Sequence, residues 1–247
     1  MPLSTNSIIH YTKYLDNLLG IIKEGFGIKY CAERLKAESS TASAAAHPMI
    51  SFCDIPLSQT LSHVNAYGHY AIGLSKDWAV KMHVNPVLYL EINSSVTQTL
   101  SSLLKDRRKK TGNNLTEKQK TDILRIKCFT KNYSGQLKRK GKTINDYKFY
   151  DEREWRLVPS KEQLGKAAFS VDYAKYKNKK DDYNEKIKDL RFNFSHQDIS
   201  YIIVATTEEI PKVIAGLRER FGKSLKGDEL DLLISKICSI GQIQSDY

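Results

Sequence analysis

The alternation of apolar and polar residues divides this chain into short strands and amphipathic helices. Ile8-Ile9-His10-Tyr11-Thr12 predicts a first strand. Leu15, Leu18, Leu19, Ile22 and Phe26 then recur at helical spacing. Asp16-Asn17 stands where a helix is capped, and Gly25 and Gly27 where one ends. The Ala- and Ser-rich residues 36–47 predict a loop or a frayed helix. Residues 48–53 predict a strand closed by Asp54-Ile55-Pro56, and Leu57, Leu61 and Val64 mark one side of a helix over 58–67. Residues 70–75 predict a strand, 76–79 a helical turn and 86–92 another strand.

Residues 96–148 break this rhythm. Thr116-Glu117-Lys118-Gln119 matches a capping box, and Ile123, Leu124, Ile126 and Cys128 supply an apolar face. The segment 97–135 therefore reads as helical and 136–148 as a basic loop. Residues 152–158 return to strand character up to Pro159, and 168–171 predict a short strand. Residues 175–191 predict an exposed loop or solvated helix. A strongly apolar strand spans 199–205, and Thr206 with Glu209 forms a second capping box before Ile210, Val213, Ile214 and Leu217. A last amphipathic helix covers 230–237. Strands and helices interleave without βαβ alternation, which predicts an α+β fold. One domain over 1–247 is expected, with a basic helical insertion over 97–148.

Charge sharpens this picture. The formal net charge is +11, and between Lys105 and Lys148 there are 15 Lys or Arg against 4 Asp or Glu. That stretch holds the whole excess, and the rest of the chain is neutral. A neutral body with one basic arm suits a polyanionic partner, nucleic acid above all, with Lys138, Arg139, Lys140 and Lys142 as its densest point. The plainer account is a solvated surface segment. Hydrophobic content of 40% is enough for a core. The four cysteines lack CxxC spacing, so thiols in a reducing, cytoplasmic compartment are expected, without a metal site. No apolar run approaches the about 20 residues of a membrane span. The phosphate-binding, dinucleotide-binding, zincin and hydrolase-elbow motifs are absent.

Candidate chemistry centres on Glu152-Arg153-Glu154-Trp155-Arg156. In a strand, alternate side chains share a face, so Glu152, Glu154 and Arg156 point one way. Two carboxylates beside an arginine mark either a site or an exposed, ion-paired strand face. His10 and Thr12 share a face of the first strand and flank Tyr11, in a site or as ordinary strand residues. Ser51 and Phe52 are site candidates or core. Tyr67-Gly68-His69-Tyr70 is an aromatic cluster that could stack on a planar ligand or line the core.

Several ordered segments carry a resemblance. Ile9-His10-Tyr11-Thr12, Pro48-Met49-Ile50-Ser51-Phe52-Cys53-Asp54-Ile55-Pro56, Tyr70-Ala71-Ile72-Gly73-Leu74-Ser75-Lys76-Asp77-Trp78, Asn85-Pro86-Val87-Leu88-Tyr89-Leu90 and Phe149-Tyr150-Asp151-Glu152-Arg153-Glu154-Trp155-Arg156 together resemble the AbiGi-type abortive phage resistance family. That family looks like a divergent branch of the ADP-ribosyltransferase superfamily. The resemblance implies split mixed and antiparallel sheets around a cleft for NAD, used as a co-substrate without a metal. It implies Glu154 as the catalytic carboxylate and Glu152 toward the acceptor, the choice between the two glutamates staying open. His10, Tyr11, Thr12, Ser51, Phe52, Tyr70 and Arg156 would bind the dinucleotide, with Tyr70 competing with Ser51 for the middle position. The expected activity is mono-ADP-ribosylation of nucleic acid, RNA first, by a phage-defence toxin held by a cognate antitoxin protein. The alternatives are a protein target, or a non-catalytic antitoxin or regulatory module on the same scaffold.

Overall fold

In the computed structural model, which describes residues 5–109, 111–112, 114–139 and 141–246, the apolar strand Ser7–Thr12 lies inside a sheet. Its antiparallel neighbour is Tyr70–Ser75, paired from Ser7↔Ser75 to Thr12↔Tyr70, and Ile9 also pairs Cys53. Both faces of this strand are covered, so Ile8 and Ile9 on opposite sides are fully buried. The fold is α+β and divides into two compact units.

The first unit comprises Met1–Gly27, Ser51–Val84 and Arg191–Tyr247. Its sheet continues from Tyr70–Ser75 to the antiparallel Ile199–Val204 and then to the parallel Ile237–Ser239. The apolar run predicted over 199–205 is thus a central strand. The helix Leu15–Glu24 packs against Ile210–Phe221 through Leu18 and Ile22 on one side and Val213 and Leu217 on the other, all fully buried. Arg220 closes the end of the first helix: its Nη1 donates to the Ile22 carbonyl at 2.6 Å, and its Nη2 donates to Phe194 O at 2.9 Å. The expected Asp16-Asn17 cap is not used. Tyr14 occupies the cap position, and Asn17 Nδ2 instead donates to Thr12 Oγ1 at 2.9 Å. The Thr206–Glu209 capping box forms as the spacing predicts.

The second unit comprises Ile28–Ile50 and Asn85–Leu190. Its backbone is a long antiparallel ladder of Lys29–Ala37 on residues 40–49, from Lys29↔Met49 to Ala37↔Ser40, with a bulge between Leu35 and Lys36. This overturns the loop or frayed helix expected over 36–47. The run Ser43-Ala44-Ala45-Ala46 is an interior strand segment, because Val171–Asp172 pairs Ala45 and Ala46 from the side opposite the ladder. Small side chains let neighbours close over both faces, and tertiary packing overrides alanine's helix propensity. The helices Ser95–Arg108 and Glu117–Cys128 cover this ladder through Leu100, Leu104 and Ile123, which pack with Leu35, Ala37 and Ala42. The Thr116 capping box forms as predicted.

The wholly helical and loop reading of 97–148 is corrected beyond Cys128. Thr130–Asn132 is a strand parallel to Leu88–Leu90, and Ser134–Arg139 with Lys142–Lys148 forms an antiparallel hairpin. Gly141, at φ +74°, supplies left-handed backbone at its turn. The predicted strand over 86–92 is two short pieces, Asn85–Pro86 and Leu88–Leu90. The strand predicted from residue 152 begins at Glu154. A tight helical turn, Phe149–Glu152, precedes it, and Arg153 sits in the left-handed region at φ +45°.

Candidate functional site

In the first unit the sequence-selected residues are tied into its own packing. His10 Nδ1 donates to the Ser51 carbonyl at 2.9 Å, which leaves the lone pair on Nε2. Its ring meets Phe26 and Phe52 edge to face at 5.3 and 5.7 Å, and burial holds its pKa below the ordinary value. Phe52 is buried against Trp78 and Phe26. Tyr11 O–H donates to Thr60 Oγ1 at 3.3 Å, and Thr12 Oγ1 accepts from Asn17. Tyr70 O–H donates to Glu209 Oε1 at 2.8 Å, while Glu209 Oε2 accepts from the Ala205 and Thr206 amides. So the structure brings His10, Ser51 and Phe52 together, and Tyr70 takes part in a helix cap.

The second unit holds a buried charge cluster. Glu154 and Arg156 share a face of the strand Glu154–Leu157, as the period of two requires. Arg156 is 0% exposed. Its Nε donates to Glu154 Oε1 at 2.9 Å and its Nη2 to Glu154 Oε2 at 3.0 Å. The guanidinium also grips both oxygens of Glu33, and Nη1 donates to Cys128 O at 2.6 Å. Lys131 Nζ donates to Glu152 Oε2 at 2.6 Å and to Glu154 Oε2 at 3.1 Å. Glu152 reaches this group from the turn rather than from the strand. Tyr89 O–H lies 2.8 Å from Glu154 N and accepts from it, fixing where the strand starts.

Lys127 and His47 complete the group. Lys127 Nζ stands 3.9 Å from Glu33 Oε2 and makes no hydrogen bond. His47 pairs Cys31 across the ladder, so with Glu33 it points to one face. Its ring is 0% exposed, and neither nitrogen makes a well-formed hydrogen bond, although the Phe169 backbone lies close enough to favour protonation in part. Burial first, and the Lys127 ammonium second, push its pKa down to about 3, so the ring is neutral near pH 7. Burial lowers the Lys127 pKa. It acts the same way on Lys131 and Arg156, but there the surrounding carboxylates win and both pKa values rise. Burial raises the Cys128 thiol to about 12 and the Cys31 thiol to about 11.

Glu33, Glu152 and Glu154 thus face Lys127, Lys131 and Arg156, three formal charges of each sign. Such a balanced group holds together in a low dielectric, where any one charge alone would be costly. Glu33, Lys127, Lys131 and His47 were not singled out from the sequence. The one hint is Glu33 on the interior period of Lys29–Ala37. Among the described residues no His, Cys, Asp or Glu group of three or more could hold a metal ion, and no helix is long and apolar enough to cross a membrane. Of the basic candidates, Lys138 and Arg139 stand on the first hairpin strand and Lys142 on the second, and Lys140 lies outside the described residues.

The family model described as "Putative abortive phage resistance protein AbiGi, antitoxin" matches residues 25–205. The chain is also similar to the "Abortive phage resistance protein AbiGi" of Lactococcus lactis subsp. cremoris. The two are 30% identical over 220 residues, which cover 81% of this chain and 88% of the relative. No solved structure matches.

Proposed function

This chain belongs to the AbiGi family of abortive phage resistance proteins, and from that premise we propose that it is a non-catalytic regulatory module, the antitoxin of its defence system, acting by binding a toxin protein. The observation that carries this reading is the occupancy of Glu154. Both of its oxygens accept from cations, Oε1 from Arg156 and Oε2 from Arg156 and Lys131. A transferase that cleaves the nicotinamide–ribose bond of NAD must aim a carboxylate at a developing positive charge. Two adjacent cations cancel that field at the ribose. For NAD to use Glu154, Lys131 and Arg156 would have to release it, leaving those two cations with one carboxylate fewer in a desolvated site. The family's description as an antitoxin supports the same reading.

The experiment expresses wild type and Glu154→Gln in bacteria, alone and beside the remaining genes of the defence locus. Each purified chain is also incubated with labelled NAD and separate RNA, DNA and protein pools. The expected outcome is normal growth with either chain alone, no label transfer, and co-purification with a toxin whose effect the chain suppresses. Growth arrest with label on RNA, both lost in a folded Glu154→Gln chain, would overturn the proposal. The transferase reading would then stand, with NAD as co-substrate.

A further inference from the structure

The strand Thr130–Asn132 leads into Tyr133, and the hairpin Ser134–Arg139/Lys142–Lys148 returns to Tyr150 within the following turn. The two tyrosines close the hairpin's base. Tyr150 N donates to Tyr133 O at 3.2 Å, and Tyr133 N donates to Leu90 O at 2.8 Å. Their rings stack at 5.5 Å and 29°, and Tyr89 braces Tyr150 edge to face at 5.4 Å. Yet Tyr133 is 39% exposed and Tyr150 52%. Two large rings held in a fixed stack at the surface form a preordered aromatic platform.

What lies beside that platform decides its occupant. Residues 134–148 carry five Lys or Arg and one Asp. Lys142 and Lys148 are exposed. Just before the hairpin the cations are paired: Lys127 and Lys131 by the buried cluster, Lys118 and Lys120 by Asp122 and Glu117. Residues 134–148 thus carry a net excess of four positive charges directly beside the platform. An acidic protein would satisfy the charge but has no need of a flat ring stack. A single nucleic-acid strand satisfies both, since every base has a π-face and every nucleotide a phosphate.

We propose that the Tyr133–Tyr150 stack and the basic hairpin rising from it bind single-stranded nucleic acid, bases stacking on the tyrosines and phosphates lying along the hairpin. Strand binding of this kind needs no catalysis and does not depend on the antitoxin reading.

The test is fluorescence anisotropy of the full chain with labelled oligouridine and oligodeoxythymidine of about 12 nucleotides, within the range such surfaces cover, and with a duplex of equal length. Binding to both single strands, weaker binding to the duplex, and an affinity that falls with salt are expected. Tyr133→Ala and Tyr150→Ala each lose about 5- to 150-fold, whereas Tyr150→Phe stays near wild type. Lys142→Gln with Lys148→Gln lowers the salt slope by about 0.7 for each phosphate contact removed. Circular dichroism checks that each variant is folded. Three results would overturn the proposal. One is no binding by wild type at low salt. Another is equal affinity for single strand and duplex with no effect of the tyrosine variants. The third is an unchanged oligonucleotide affinity when those variants abolish suppression of a co-expressed toxin, which makes the surface a protein interface.

Discussion

Arg156 holds Glu33 through two parallel hydrogen bonds, Nη1 to Oε2 at 2.8 Å and Nη2 to Oε1, although 123 residues separate them. The pair joins the strand Glu154–Leu157 to the strand Lys29–Ala37 inside the second unit. A planar fork matched to a carboxylate is a geometry that lysine cannot copy.

Arg156→Met takes the guanidinium from buried Glu154 and from half-buried Glu33. It should cost about 3–5 kcal/mol, and Arg156→Lys should recover only part. Urea melts followed by circular dichroism measure this. A double Glu33→Gln/Arg156→Met chain should be more stable than Arg156→Met alone, and a double variant that is no better would show that the pair does not act as a unit.

His47 gives a pH dependence of known sign. Its folded pKa is about 3 against an ordinary value of 6.5, so between these values the unfolded chain binds a proton that the folded chain does not. Acid therefore favours unfolding. Wild type should lose stability relative to His47→Leu by about 1.4 kcal/mol per pH unit as pH falls from 6.5 toward 3. Parallel melts of the two chains at pH 7 and pH 4.5 check it, and equal losses would contradict it.

Gly68 has φ +124°, and a Cβ there would lie 2.2 Å from the Thr12 carbonyl oxygen and 2.6 Å from Lys13 Cα. Both obstacles are backbone, so neither can swing aside. Gly68→Ala should cost about 2–4 kcal/mol, combining conformational strain and overlap. Gly112 is also left-handed, at φ +71°, but nothing lies within 4 Å of its Cβ position. Gly112→Ala should cost only about 1 kcal/mol. Thermal melts compare them.

Tyr70 tests whether a residue suggested for ligand stacking serves the fold. Its hydroxyl anchors Glu209 as that carboxylate caps the following helix. Tyr70→Phe should cost about 0.5–1.5 kcal/mol, one hydrogen bond's worth. In a Glu209→Ala background the same change should cost less, and an undiminished cost would sever the link.

Local order was legible wherever the cause was local. The apolar strand Ile199–Val204, the helix Leu15–Glu24 and both capping boxes follow from periods and side chains within a few residues. The period of two also placed Glu154 and Arg156 on one face. It failed for Glu152, because Arg153 turns left-handed and ends the strand there.

Only the tertiary structure decided the strand made of alanines and the partners of the charges. Ala45 and Ala46 are extended because two other strands hydrogen-bond to them, and nothing in their own side chains asks for that. Nothing local to Glu33 or Lys131 in the sequence names the partner of either charge. Burying a charge is favourable only when an opposite charge arrives with it, and that partner lies far along the chain. Side-chain period and capping act over one or two turns and can be read in order, whereas charge compensation acts through space and exists only once the chain has folded.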